Sequence, residues 1–184
     1  MVTDAVFQVA LLGSGVLAVL GVFGLWLWGR SERTQVSLVE TATAAWEGTA
    51  PPSADLAVGV DPDLAVSADP GKLRELFAAL FENAVRYGGR DVQVRLARTD
   101  DGFAVEDDGP GIPPENRDRV FELGYSTRAD RQGLGLGMVR TLCRAYDWDV
   151  DIEESDHGGA RIVVSGVRFH STWETDSEAG DASV

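Results

Sequence analysis

The first hydrophobic pattern along the chain is an unbroken block. Ala5 to Trp28 is apolar, with only Gln8 and Ser14 as clear polar interruptions. At 1.5 Å per residue, about 24 residues make roughly 36 Å of helix, enough to cross a hydrocarbon core of about 30 Å with some tilt. The pattern predicts one N-terminal transmembrane helix over residues 5–29. Trp26 and Trp28 suit an interfacial belt, Asp4 precedes the block, and Arg30 and Arg33 follow it. That charge bias predicts a single-pass chain in the cell membrane, with the N-terminus outside and the rest in the cytoplasm. A cleaved signal peptide fits less well. The start is not basic, the apolar run is too long, and no small-residue cleavage site follows. Ala10, Ser14 and Ala18 recur at four-residue spacing, a stripe that permits a homodimer through the membrane helix. Small residues are equally common in membrane helices for no such reason.

Beyond the block the pattern changes period. Residues 30–53 read as a short helical linker (Val36, Val39, Ala42, Trp46) that Pro51-Pro52 closes. Residues 54–170 then read as one domain. Leu56–Val60 and Leu64–Ser67 suit short strands. Asp69-Pro70 starts a helix, with Asp69 as cap and Pro70 in the first turn. Leu73, Leu76, Phe77, Leu80, Phe81, Ala84 and Val85 give that helix a broad apolar face, and Gly88-Gly89 end it. Val92, Val94 and Leu96 alternate with polar residues, as in a half-buried strand. Asp100-Asp101-Gly102 reads as a hairpin turn, with Phe103 to Asp107 as the return strand. Residues 110–132 form a long connection, of the kind that often serves as a lid. A second amphipathic helix begins near Met138 (Val139, Leu142, Cys143, Tyr146). Two last strands fit Trp148–Ile152 and Ala160–Phe169. The segment 171–184 is acidic and small, and reads as a disordered tail.

Charge narrows the function classes. Thirty acidic residues against 16 basic ones leave a formal net charge of −14. No nucleic-acid partner is expected, since counterion displacement needs a basic surface. Lys72 is the only lysine. An acidic, lysine-poor surface suits solubility in concentrated salt, and equally suits plain acidic solubility. Cys143 is the only cysteine, so no intrachain disulfide can form.

Three clusters carry the candidate chemistry. Asn83 lies seven residues after Leu76, within roughly 20° of it around the helix, so its amide falls on the apolar face. A bare amide there is costly unless paired, with a metal-bound water or with nearby backbone. Asp107 shares a strand face with Val105 and Phe103. A carboxylate ending an apolar face needs a donor, and an adenine amino group is one. Gly109 and Gly111 let the chain turn sharply beside it, although Asp108-Gly109 alone would also suit a plain turn. Gly133, Gly135 and Gly137 precede the second helix. Glycines there let backbone N–H groups approach phosphate at a helix N-terminus; a flexible hinge explains them equally well. No Gly-Lys-Ser/Thr follows, so this is not a Walker A loop.

The order and spacing of these clusters resemble the ATP-binding domain of sensor histidine kinases, in the superfamily shared with DNA gyrase, the ninety-kilodalton heat-shock chaperone and mismatch-repair ATPases. Leu80 to Tyr87 resembles the N box, Asp107 to Ile112 the G1 box, Val120 to Thr127 the F box and Gly133 to Gly137 the G2 box. The lysine-poor composition adds a likeness to halophilic archaeal members. The resemblance implies a two-layer α/β sandwich with a mixed sheet, and ATP with Mg²⁺ as ligands. It implies that Asn83 holds Mg²⁺, Asp107 reads adenine, Arg86 reaches the phosphates and Tyr87 packs on the nucleotide. Residues 112–132 become an ATP lid, with Arg128 and Arg131 as phosphate contacts.

Two departures shape the expectation. Ala79 stands where the family's N box usually has a second polar residue, and a methyl group can neither orient water nor accept a proton. A helical hairpin with a phospho-accepting histidine is not apparent either: His157 and His170 both follow the G2 box. The resemblance therefore implies phosphoryl transfer to a histidine on a separate protein, with a response regulator as a further partner. The alternatives are a non-catalytic regulatory module and a serine-kinase-type regulator of the same superfamily.

Overall fold

The structure is a computed structural model, and it describes residues 33–125, 134–156 and 158–171. The apolar block at 5–29, Arg128, Arg131, Gly133, His157 and the acidic segment 172–184 lie outside these residues. Among the described residues no helix is long and apolar enough to cross a membrane.

Among the described residues there are eight strands and four helices: β1 Thr34–Ser37, α1 Leu38–Glu47, β2 Asp55–Gly59, β3 Leu64–Ala68, α2 Pro70–Gly88, β4 Gln93–Arg98, β5 Gly102–Asp107, the short α3 Pro114–Arg117, α4 Gly135–Ala145, β6 Asp149–Glu154, β7 Ala160–Ser165 and β8 Phe169–Ser171. The larger sheet has the order β2-β4-β5-β7-β6, and β1-β3-β8 form a smaller one. The β2–β4 pair is parallel and the other pairs of the larger sheet are antiparallel, so that sheet is mixed. One face of it carries Leu96, Phe103, Val105, Ile162 and Val164, all buried with the apolar faces of α2 and α4. On the opposite face opposed charges meet across strands: Arg161 pairs with Glu106 and lies 3.0 Å from Glu153. This is the two-layer α/β sandwich with a mixed sheet.

Local rules explain the best-read elements. Asp69 caps α2 by accepting from the Lys72 N–H at 3.0 Å, and Pro70 occupies the first turn. Gly89 at φ 103° then stops the helix, a conformation that favours glycine. A row of rings ties the layers together. Trp46 meets Phe81 edge-on at 5.2 Å, Phe77 stacks on Phe81 at 5.8 Å, and Phe77 reaches Phe103 at 5.4 Å. Each fully buried ring contributes about 1.5–3 kcal/mol through the area it removes from water.

The structure corrects the sequence reading in four places. Residues 34–37, expected within a helical linker, form β1 and pair with β3. The following α1 begins only at Leu38, where Ser37 caps it, and its Leu38, Ala42 and Ala45 are buried in the common core. Thus the stretch expected to link is part of the folded body, which begins at Arg33. Second, α4 starts at Gly135 rather than near Met138, since the Met138 N–H already bonds to the Leu134 carbonyl at 2.8 Å. Third, the expected strand 160–169 is two strands. Gly166 at φ 75° breaks it, and β8 joins the smaller sheet. Fourth, the connection after residue 110 contains α3.

Candidate functional site

The C-terminal half of α2, the end of β5, the loop after it and the start of α4 enclose one cleft. It holds about 870 Å³ of empty space, part of it open to solvent. Asn83, Arg86, Tyr87, Asp107, Gly111 and Gly135, all anticipated from sequence, line it together.

Asp107 is the buried acid of this cleft, 8% exposed at the end of β5. Its Oδ1 accepts from the Gly109 N–H at 2.9 Å and from the Ala160 N–H at 3.2 Å. Burial pushes its carboxyl above the ordinary carboxylate range; the Ala160 and Gly109 bonds pull it back, and the Asp108 charge adds to the rise. Two backbone donors thus fix one oxygen, which leaves the carboxylate rigidly held with acceptor capacity toward the cleft. Gly159 makes this placement possible. A Cβ there would lie 2.0 Å from the Asp107 carbonyl oxygen and 2.4 Å from its Oδ1. The Gly158-Gly159 turn therefore serves the site as well as the chain reversal.

Asn83 is half-buried on α2, and its side chain makes no hydrogen bond among the described residues. One position earlier, Glu82 also lines the cleft, and its carboxylate lies 3.5 Å from Arg86. Ala79 lies one turn before Asn83 on the same wall. The oxygen donors here are one amide and one carboxylate. Among the described residues no group of three or more His, Cys, Asp or Glu could hold a metal ion. Such a sparse set fits Mg²⁺, which keeps several waters and takes its remaining ligands from phosphates.

The first turn of α4 closes the cleft. Leu134 stands at its N-cap position and gives no side-chain cap, so among the described residues no side chain caps the first N–H groups. The space beside Gly135 is open, whereas a Cβ at Gly137 would strike Leu123. Gly135 therefore faces the cleft and Gly137 serves packing. Gly109 does not line the cleft either; it supports Asp107 from behind, close to Gly88.

Sequence reasoning missed several lining groups. Asn116 accepts from the Tyr125 hydroxyl at 2.8 Å, and both border the cleft. Ile112, Leu134 and Leu136 add apolar wall. Ala160 acts through its backbone, for which side-chain chemistry carries no signal. Glu82 had a signal, its four-residue spacing to Arg86. Arg128, Arg131 and Gly133 lie outside the described residues.

The family model of the histidine kinase-, DNA gyrase B- and HSP90-like ATPases matches residues 68–170, more than half of the chain. The chain belongs to this family. Among curated relatives, the adaptive-response sensory kinase SasA of Trichormus variabilis is 36% identical over 104 residues, covering 52% of this chain and 26% of that one. The sensor protein PhoQ of Escherichia coli O157:H7 is 31% identical over 122 residues, covering 64% and 25%. The chain thus spans about a quarter of the length of these relatives. Among solved structures, the mycobacterial sensor histidine kinase MprB superposes with a TM-score of 0.64 at 25% identity, over 74% of this chain and 98% of that chain. Full-length ShkA, solved in complex with AMPPNP, superposes with a TM-score of 0.60 at 26% identity, over 76% and 32%. The described fold is the ATP-binding domain of this family, of the sensor histidine kinase kind.

Proposed function

We propose that this domain binds Mg·ATP in the cleft and serves phosphoryl transfer to a histidine on a separate protein, in two-component signalling. The observation that carries the proposal is Asp107: a buried carboxylate, fixed by two backbone donors, in a cleft that the N-terminus of α4 also lines. The base and the phosphates of one nucleotide suit those two features.

In this reading Asp107 accepts from the adenine amino group and Tyr87 packs against the nucleotide. Arg86 and the first N–H groups of α4 neutralise phosphate charge. Its surface pairing with Glu82 is weak enough to give way to a phosphate. Asn83 holds Mg²⁺, with Glu82 beside it. The ion supplies charge neutralisation across the transferred phosphoryl group. An acceptor nitrogen then attacks the γ-phosphorus, the bond to the β–γ bridging oxygen breaks, and ADP departs. The apolar run at 5–29 tethers the domain to the membrane with the cleft on the cytoplasmic side, and a response regulator receives the phosphoryl group afterwards. The lysine-poor, acidic composition supports solubility in concentrated salt, with plain acidic solubility as the alternative.

Ala79 favours a second reading, a module that binds nucleotide without transferring its phosphoryl group. It leaves one turn of the N box without a polar group to orient Mg²⁺ or an attacking atom. Incubation of the chain with γ-labelled ATP and candidate acceptor proteins separates the readings. Acid-labile label on a partner supports histidine transfer. Acid-stable label points to a serine acceptor, and tight ATP binding without transfer points to the regulatory module.

A further inference from the structure

A second pocket lies at the other end of α4. It is lined by Arg33, Ser67, Asp147, Gly166, Arg168 and His170 around Tyr146 and Trp148, and shares no residue with the nucleotide cleft. The helix between them has 11 residues, about 16 Å at 1.5 Å per residue.

Strand register assembles its cations. Gln35 pairs with Ser67 across β1 and β3, and Ala65 pairs with His170 across β3 and β8. Directly opposed residues share a sheet face and alternate residues return to it. Ser67 and His170 therefore share one face, and the alternation carries Arg33 and Arg168, one residue outside β1 and β8, to that same face. The opposite face bears Val36, Val66 and Phe169, which pack in or against the core. Two distant stretches of sequence, one at residue 33 and one at 168–170, thus deliver two guanidinium groups and an imidazole to one pocket. In a chain of net charge −14, such a local excess of cations is not a consequence of composition.

The groups are held in different degrees. Arg33 donates to the Ala145 carbonyl at 2.8 Å and lies 5.2 Å over the Tyr146 ring, so its guanidinium is oriented and still has donors to spare. The Tyr146 hydroxyl in turn accepts from the Asp69 N–H at 3.1 Å, and Tyr146 and Trp148 are 4.9 Å apart as a buried floor. Arg168 and His170 make no hydrogen bond or ion pair among the described residues. Among the described residues Asp147 is the one acid in the lining, against two arginines.

We propose that this pocket is an oxyanion site, taking a phosphate or carboxylate group between Arg33, Arg168 and His170. Arginine forks match such groups with paired N–H donors, and the histidine adds a ring N–H in either protonation state. The Ser67 hydroxyl supplies a further donor. Two sources offer the chemistry: a free or partner-borne oxyanion, or the chain's own acids Glu174, Asp176, Glu178 and Asp181, which follow β8 closely in sequence.

The test is calorimetric titration of the full chain with inorganic phosphate at low chloride. Phosphate should bind, and Arg168→Gln with His170→Gln should weaken it by about tenfold or more. Arg86→Gln, in the nucleotide cleft, should leave this component in place. A second readout needs no pocket variant: phosphate should shift the NMR signals of the Trp148 indole and the His170 ring. Replacing Glu174, Asp176, Glu178 and Asp181 together by their amides separates the sources. Tighter phosphate binding in that variant means that the chain's own carboxylates occupy the site, and unchanged binding means an external ligand. Phosphate affinity that is absent in both backgrounds, or that the Arg168 and His170 changes leave untouched, overturns the proposal.

Discussion

At the scale of single residues, the site rests on Asp107. Its environment is unfavourable to charge, because burial outweighs the two backbone donors. A carboxyl whose folded pKa is raised binds its proton more tightly when folded. Its stabilising contribution is therefore fully present below about pH 3.8, the ordinary value, and is lost as pH rises through the elevated folded value. Asp107→Asn keeps an oxygen for the Gly109 and Ala160 N–H groups and removes the charge. The expected outcome in a thermal melt at neutral pH is a variant as stable as the parent, with a shallower fall in stability as pH rises from the acid side. The same variant should bind ATP about 30–100-fold more weakly, since an amide presents the wrong group to an adenine amino donor. Asp107 was legible in sequence because strand alternation puts it on an apolar face. The donors that fix it were not: Gly109 and Ala160 act through backbone atoms, and only the fold brings Ala160 to a position 53 residues away in the chain. Cys143, by contrast, carries no chemistry. Burial pushes its thiol up to about 12, so it behaves as a small apolar side chain.

At the scale of elements, the readable features were those with a local physical signature. Asp69-Pro70 marked the start of α2 and Gly88-Gly89 its end. Asp69→Ala should cost about 1 kcal/mol in chemical denaturation, the usual value of a lost cap. The elements misread had signatures written elsewhere. Four residues, Thr34 to Ser37, become a strand only because β3 lies beside them. The sequence pattern predicts the start of α4 three residues late because Gly135 and Gly137 lower helix propensity, which burial of Leu136 and Val139 overrides. The turn after β6 belongs to both fold and site. Gly159→Ala would drive a methyl group into Asp107. It should destabilise the domain by about 2 kcal/mol or more and lower ATP affinity even under conditions where the variant remains folded. Circular dichroism and a binding titration on the same sample check both parts.

At the scale of the whole molecule, one aromatic row joins α1, α2 and the sheet. Phe77, which touches both Phe81 and Phe103, stands at its centre. Phe77→Ala should cost about 3–5 kcal/mol in urea unfolding, with the loss shared by every element because the core is common. The charge of −14 acts at this scale too. Self-repulsion among acids is relieved by screening, so the midpoint of thermal unfolding should rise between low salt and molar potassium chloride. A flat or falling midpoint would argue against adaptation to concentrated salt. The mixed two-layer fold followed from the sequence through its motif order, whereas the smaller sheet, which takes β8 as an edge strand, depended on a strand break at Gly166 that hydrophobic periodicity does not reveal.

The most direct test of the central claim is calorimetric titration of the chain with Mg·ATP in molar potassium chloride, beside Asp107→Asn and Asn83→Ala. Saturable binding that Asp107→Asn weakens with or without the metal, and that Asn83→Ala weakens only with Mg²⁺ present, is the result this structure predicts. A folded chain that binds no ATP, or binds it equally well in both variants, would contradict it.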